Sequence, residues 1–470
     1  MAKRSLKLPH TLVLIYLLVI GVYLMSLVVP SGKFQRVEKS FQGQTRLVTV
    51  PGTYAETPKR LLGPQWLLIA PVRGFEDGAL IIFIILIFGG TFAILGKTGA
   101  IESGIQRLSR FFSRKPRTQK LVVPVLMIVF SLAGGVYGMA EESIAFVLIF
   151  IPLALSLGYD SIVGVAIPFV GAAAGFGAAF FNPFTVGIAQ GFSELPLYSG
   201  LTYRLILWVI NTILSIVFVM IYAERVRKDP KKSLVYDIDA ARGYSAAEIQ
   251  ARDLPWGPAQ KIILGILFGG VAALVYGVLA KGWYIEEIGA LFLGIGLVSG
   301  PIAGIKPSEM AKTFVSGAAD LIGVAMIIAG GRAILIILNE AVVLDTVLQG
   351  AARFISAVPG IITAQMMFLI QGAINFFVHS GTAQAALTMP VMAPLSDLVG
   401  LTRQTTVLAF QLCEVINPIL PTSAVTMGVL GVAKIPWEKW AKWFLPLMLI
   451  LVAFSLVALI PPVLMKWGPF

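Results

Sequence analysis

Charge and metal-binding side chains are what this chain has least of. Only 13% of its 470 residues are Asp, Glu, Lys or Arg, against 57% hydrophobic; a soluble domain carries about 25% charge. A chain so poor in charge cannot coat a globule with polar groups, so lipid must be its main solvent. Soluble enzymes and nucleic-acid binders are excluded in spite of a net charge of +12. The single cysteine, Cys413, excludes a disulfide framework and any zinc or iron–sulfur site built on several cysteines. The two histidines, His10 and His379, are too few for a histidine metal site. No cofactor is expected beyond a coupling Na⁺ or H⁺, and no nucleic-acid partner.

What is present is a succession of uncharged apolar runs. Thr11 to Val29 follows Lys3, Arg4 and Lys7. It is long for a signal-peptide core and no A-x-A-like cleavage site follows, so it reads as a first membrane helix with a cytoplasmic N-terminus. Residues 30–78 form a polar loop in which Arg46–Val50, followed by Pro51-Gly52, suggests a small hairpin. Ala79–Gly96 is the second crossing. Basic residues then cluster from Arg107 to Lys120, as cytoplasmic loops do. The stretch 121–159 is split by Gly134-Gly135 and Glu141-Glu142: it is either a full crossing plus an arm, or a re-entrant hairpin. The hairpin is favoured because it puts the second basic loop, 224–259, on the cytoplasmic side as well. Residues 161–192 hold no charge over 32 positions and contain Asn182-Pro183, which predicts a broken helix. A crossing at 205–223 follows.

The second half repeats this order. Crossings are expected at 262–281, 288–305 and 318–339, a hairpin at 359–397, a broken helix at 404–433 with Asn417-Pro418 and Pro421, and a last crossing at 443–464. The predicted fold is an all-α polytopic membrane protein of about nine transmembrane helices plus two re-entrant helical hairpins. Residues 1–78 form a first helix and extracytoplasmic loop, 79–223 a first repeat, 224–259 a basic cytoplasmic loop, and 260–470 a second repeat with two preceding helices. Gly89-Gly90 matches Gly330-Gly331 at an offset of 241, Ile101-Glu102-Ser103 matches Leu344-Asp345-Thr346 at 243, and Pro152-Leu153 matches Pro394-Leu395 at 242. An odd number of crossings separates the copies, so they are predicted to have inverted topology, the architecture of secondary transporters.

Backbone that leaves a helix inside a bilayer exposes N–H and C=O groups at several kcal/mol each, by the general figure of roughly that size. Such breaks persist only within protein or around a polar cavity. Four are predicted: a tip at 134–143, a break at 182–185, a tip at 378–384 and a break at 417–423. Their polar side chains are the candidate substrate site: Glu141, Glu142, Ser143, Asn182, Thr185, Ser380, Thr382, Gln384, Glu414, Asn417, Thr422 and Ser423. Asn182 and Asn417 each precede a proline, which frees a carbonyl. With Glu414, the one charge in its 30-residue run, they form a candidate coupling-ion site. Competing structural roles exist: hydroxyls bond their own helix backbone, and Gly134 and Gly135 serve close packing as well as a tip. Arg332 could grip a carboxylate, but it is read as lying away from the breaks and pairing with an acid such as Glu340 or snorkelling. His379 is read as structural or proton-sensitive, Cys413 as packing, and Asp160 and Asp397 as interface caps.

These same segments carry a resemblance. Asn182 to Gln190, Pro196-Leu197-Tyr198-Ser199-Gly200, Tyr203-Arg204, Gly138-Met139-Ala140-Glu141-Glu142, Gln384 to Pro394, Phe410-Gln411 and Pro421-Thr422-Ser423 resemble the YfcC-type branch of the C4-dicarboxylate anaerobic carrier family, within the ion-transporter superfamily. The likeness runs from Val29-Pro30-Ser31-Gly32 to Trp437-Glu438-Lys439-Trp440. It implies a multi-pass inner-membrane carrier, a homodimer with scaffold and transport parts, and elevator-type movement. YfcC-type members are assigned to basic amino-acid antiport, and the namesake carriers to C4-dicarboxylates. The chain departs at Gln411–Asn417, one residue shorter than the family's pattern, where Glu414 takes the acidic place. The expected function is a secondary active transporter of small charged organic solutes, foremost basic or other amino acids. A C4-dicarboxylate is the second expectation; a channel or membrane-embedded enzyme is remote.

Overall fold

The computed structural model describes residues 11–41, 44–50, 52–113, 116–242, 256–356 and 360–468. His10, Lys3, Arg4, Lys7, Arg114, Lys115 and part of the 224–259 loop lie outside the described residues. The fold is helical apart from two small antiparallel pairs in the polar loop after the first helix: β1 (Gly32–Lys33) with β4 (Ala55–Glu56), and β2 (Arg36–Phe41) with β3 (Gln44–Thr49). The loop does hold a hairpin, but its connection lies between Phe41 and Gln44, which face each other, and not at Pro51-Gly52, which follows the second strand.

The helices of the first half are α1 (Thr11–Val28), α2 (Trp66–Asp77), α3 (Ala79–Thr98), α4 (Ala100–Ser113), α5 (Pro116–Tyr137), α6 (Ser143–Ser156), α7 (Ser161–Gly177), α8 (183–192) and α9 (Leu201–Lys228). A short α10 (Tyr236–Arg242) leads to α11 (Pro258–Lys281), α12 (Ile285–Ile302), α13 (Pro307–Ala319), α14 (Ile322–Glu340) and α15 (Leu344–Ser356). Then come α16 (Gly360–Asn375), α17 (Gly381–Leu398), α18 (Arg403–Leu412), a 3-10 turn (Cys413–Ile419), α19 (Ala424–Val432), α20 (Trp437–Ala458) and α21 (Ile460–Leu464). Eight spans among the described residues are long and apolar enough to cross a bilayer, counting Arg403–Val432 as one. Six coincide with predicted crossings and Arg403–Val432 with a predicted broken helix, while the crossing expected at 262–281 falls among the shorter apolar helices, as Pro258–Leu274. The eighth, Gln119–Tyr137, is the first arm of the predicted hairpin. Outer faces of α1, α9 and α20 expose Leu17, Leu24, Ile213 and Leu449, a distribution suited to lipid.

Small residues set how closely the helices approach. A Cβ on Gly74 of α2 would strike the Ala329 carbonyl of α14, and one on Gly317 of α13 would strike the Gly89 carbonyl of α3. The two contacts are counterparts: Gly74 and Gly317 are 243 residues apart. Left-handed residues recur at the same interval. Gly99 and Val342 end α3 and α14, Gly158 and Gly400 follow α6 and α17, and Glu194 and Lys434 follow α8 and α19. Gly134 and Gly135 lie within α5 rather than at a tip. Gly134 abuts the Ala172 carbonyl of α7, so the packing role takes it, and the non-helical tip is 138–142.

Candidate functional site

Four non-helical points converge. The first tip meets the first break at Gly138, whose φ of +78° needs glycine and whose missing Cβ would lie 2.7 Å from Asn182 Oδ1. The break falls at 178–182, just before the expected position. Pro183 can open α8 because a first-turn residue needs no N–H partner. Asn182 Oδ1 accepts from Phe184 N at 2.9 Å and caps that helix.

The second tip docks on both breaks. Thr382 Oγ1 donates to the Phe184 carbonyl at 2.8 Å, and Thr422 Oγ1 to the Phe376 carbonyl at 2.8 Å. The breaks also touch each other: Gln411 Nε2 donates to the Phe176 carbonyl at 2.6 Å, and a Cβ on Gly177 would sit 2.6 Å from Val415 Cγ1. At the centre, Gly381 leaves room for two side chains. A Cβ there would lie 2.6 Å from Thr185 Cγ2 and 3.1 Å from Glu414 Oε1.

Glu414 is 1% exposed. Its Oε2 accepts from Asn417 Nδ2, and the Asn417 carbonyl accepts from Thr426 Oγ1 at 2.9 Å. Glu414 Oε1, Asn417 Oδ1, Thr185 Oγ1 and Asn182 Nδ2 are buried without a hydrogen-bond partner. Native proteins leave few such atoms, and each calls for an explanation. A buried carboxylate with an unpartnered oxygen at Gly381, where Thr185 also packs, can hold a monovalent cation, an ammonium group or a proton.

The other candidate side chains are committed elsewhere. Ser143 Oγ donates to the Ala140 carbonyl at 2.5 Å, and Glu142 Oε2 accepts from Ala140 N at 3.0 Å, so both shape the first tip. Ser380 caps α17 through Ala383 N, and Ser423 caps α19 through Thr426 N. Gln384 ties the arms of the second tip together. It accepts from Asn375 Nδ2 at 2.9 Å and donates to Gln371 Oε1 at 2.8 Å. Glu141 is half-buried, with the Tyr284 hydroxyl and the Arg332 charge in reach.

Two expectations need correction. Arg332 pairs with Asp77 at 3.3 Å, while Glu340 takes Arg60 and Arg73 at 2.8 and 2.7 Å. Nor is Arg332 remote: its neighbour Gly331 abuts the Thr422 carbonyl. Asp397 is not a cap but binds Arg403 by two bonds of 3.0 and 2.8 Å. Asp160 does cap α7, through Val163 N. Both His379 ring nitrogens are buried without a partner. Sequence reasoning missed Gly381, Asn375 and Gln411; the amides stood out as polar residues in apolar runs.

The model of the family described as C4-dicarboxylate anaerobic carrier matches residues 8–463. The Escherichia coli (strain K12) protein named "Putative basic amino acid antiporter YfcC" is 36% identical over 99% of this chain and 98% of its own. An uncharacterised protein of Haemophilus influenzae is 26% identical over 88% of this chain and 81% of its own. Among solved structures, the Alcanivorax borkumensis YdaH transporter covers 98% of this chain and 100% of its own at 16% identity and a TM-score of 0.41. Neisseria gonorrhoeae MtrF covers 99% and 98% at 17% and 0.42. Both likenesses are too distant to bear on mechanism. The apolar spans, the full-length family match and the 36% relative together establish that this chain is a multi-pass membrane protein of the C4-dicarboxylate anaerobic carrier family of transporters.

Proposed function

We propose that the chain is a secondary active transporter of small charged organic solutes, with basic or other amino acids as its first substrate class and Na⁺ or H⁺ as a coupling ion. The observation that carries this is Glu414 Oε1, buried without a hydrogen-bond partner and meeting the same Gly381 position as Thr185. A carboxylate in that setting favours a cationic or zwitterionic partner, or a coupling cation. The printed name of the 36% relative supports the amino-acid class. A C4-dicarboxylate is the second reading, favoured by the family whose model matches the chain.

In this proposal 121–159 and 359–397 are re-entrant hairpins whose tips meet the broken helices, and the halves are inverted repeats. The counterpart glycine contacts and left-handed turns, spaced near 242, support the repeat. Alternating access then follows, because the two halves can exchange conformations about one site. The moving part is the pair of hairpins with the broken helices, in an elevator motion against a homodimeric scaffold. The protein lies in the inner membrane with a cytoplasmic N-terminus. Counterflow in proteoliposomes, with labelled arginine, ornithine, aspartate and succinate, and with or without Na⁺ and proton gradients, tests this. Saturable counterflow of an amino acid is expected; flux that never saturates points to a channel and overturns it.

A further inference from the structure

Arg204 lies outside the central cluster and has no counter-charge among the described residues. It is 1% exposed, and its Nε, Nη1 and Nη2 are all buried without a hydrogen-bond partner. Asp345, by contrast, has Arg36 at 2.7 Å, and Asp160 is held by Tyr222 and Ser233. A buried guanidinium left bare is among the least favourable arrangements a fold can hold. Here it stands over the Trp467 ring, 5.9 Å from the centroid, which supplies a weak attraction but no acceptor.

The position of Arg204 adds a second observation. It is in the first turn of α9, a helix of 28 residues whose N-cap, Gly200, makes no side-chain capping bond and whose first turn has no acid. The first N–H groups of a helix carry partial positive charge and have no partner within it. Helical side chains lean toward the N-terminus, so the guanidinium leans to the same end as those N–H groups. Trp467 and Gln404 border this end through Gly200, where a Cβ would collide with both. Thr402 fixes the Trp467 backbone by donating to its carbonyl at 2.8 Å.

We propose that Arg204 and the N-terminus of α9 form a binding site for one oxyanion, a carboxylate or a phosphodiester. Guanidinium binds either through paired N–H···O bonds, and a helix N-terminus favours either charge. The oxyanion is the carboxylate of a free solute or the headgroup of an anionic lipid. The site is separate from Glu414 and stands whatever the transported substrate.

The test is thermal melting of the full chain, delipidated in a neutral detergent. It is titrated with succinate and with short-chain phosphatidylglycerol, against chloride at equal ionic strength and phosphatidylcholine. One of the two probes is expected to raise the melting temperature saturably; which one does so identifies the source. Arg204→Met should weaken that response by about tenfold or more, since each decade corresponds to one lost charge-assisted bond. Arg204→Lys keeps the charge but not the fork; it should fold and bind more weakly than wild type, which keeps the test decisive if the methionine variant does not fold. Asn182→Ala, in the central cluster, should leave the response in place. No response of the wild type to either probe overturns the proposal. So does a response equal in wild type and Arg204→Lys or Arg204→Met, or one abolished by Asn182→Ala alone.

Discussion

Replacing Glu414 by Gln keeps the shape of the side chain and removes its charge, and the structure sets opposing terms for stability. Taking a carboxylate into the centre of a membrane helix costs about 3 kcal/mol on insertion scales. The substitution relieves that cost. It also weakens the bond from Asn417 Nδ2, and a hydrogen bond to a charged group contributes roughly 1.5–3 kcal/mol. The amide oxygen of Gln can still accept from Asn417, so part of that bond remains. The terms nearly cancel, and the variant should melt within about 1 kcal/mol of wild type, on the favourable side if it moves. Transport has no such compensation. The free Oε1 beside Thr185 becomes either an uncharged oxygen or an NH₂ group, and neither attracts a cation. Initial uptake into proteoliposomes, per mole of folded protein, should fall by about a hundredfold if one charge-assisted contact of some 2.7 kcal/mol is lost at the transition state. Its dependence on Na⁺ or pH should vanish with it. A purely structural Glu414 requires the reverse: a lower melting temperature with normal uptake per folded molecule. That result, or unchanged uptake with unchanged ion dependence, refutes the reasoning.

Gly381→Ala places a methyl 2.6 Å from Thr185 Cγ2 and 3.1 Å from Glu414 Oε1; overpacking of this kind costs about 1–3 kcal/mol, so melting should fall and uptake should drop more than stability does. Wild-type uptake with a normal melt would show the space to be slack. In a Cys413→Ala background, cysteines at Ser113 and Lys231 should resist a membrane-impermeant thiol reagent in intact cells and react after lysis; reaction of one but not the other in intact cells removes the hairpin reading of 121–159, and reaction of both reverses the assigned orientation. Burial pushes the Asp160 carboxyl up to about 6 from 3.8. The folded state therefore holds the proton more tightly, and stability should decline as pH rises from about 4 to 6, by about 3 kcal/mol relative to Asp160→Asn. Melting curves of the two that stay parallel across that window contradict the assignment.

Most of the helix pattern was legible because lipid imposes it: long uncharged runs can only be spans or paired arms. The breaks were legible for the same reason, since Asn-Pro inside an apolar run has no other stable use. Their extents were not. Gly134-Gly135 offered the same signal for a tip as for a packing face, and only the Ala172 carbonyl opposite Gly134 decides between them. Position in sequence also misled where charge was used as a boundary marker. Arg204 was placed outside the crossing at 205–223, yet α9 begins at Leu201 and buries it. Arg332 looked isolated because its partner Asp77, and the Thr422 carbonyl that abuts the adjacent Gly331, are distant in sequence.

The hydroxyls carry the argument one step further. Ser143, Ser380, Ser423 and Thr185 are equivalent as letters in a polar break. Three of them complete a tip or a helix end, and their oxygens are satisfied before any solute arrives. Thr185 differs because its helix is already capped by Asn182, so its hydroxyl is left without a partner, as is Glu414 Oε1, which meets the same Gly381 position as the Thr185 methyl. Capping and function draw on the same residue types, and at each break the residue that caps frees another to bind. On the proposed function, the binding residues are those left unsatisfied once the helix ends are closed, and Thr185, Glu414 and Asn417 are the part of the cluster that a cation would complete.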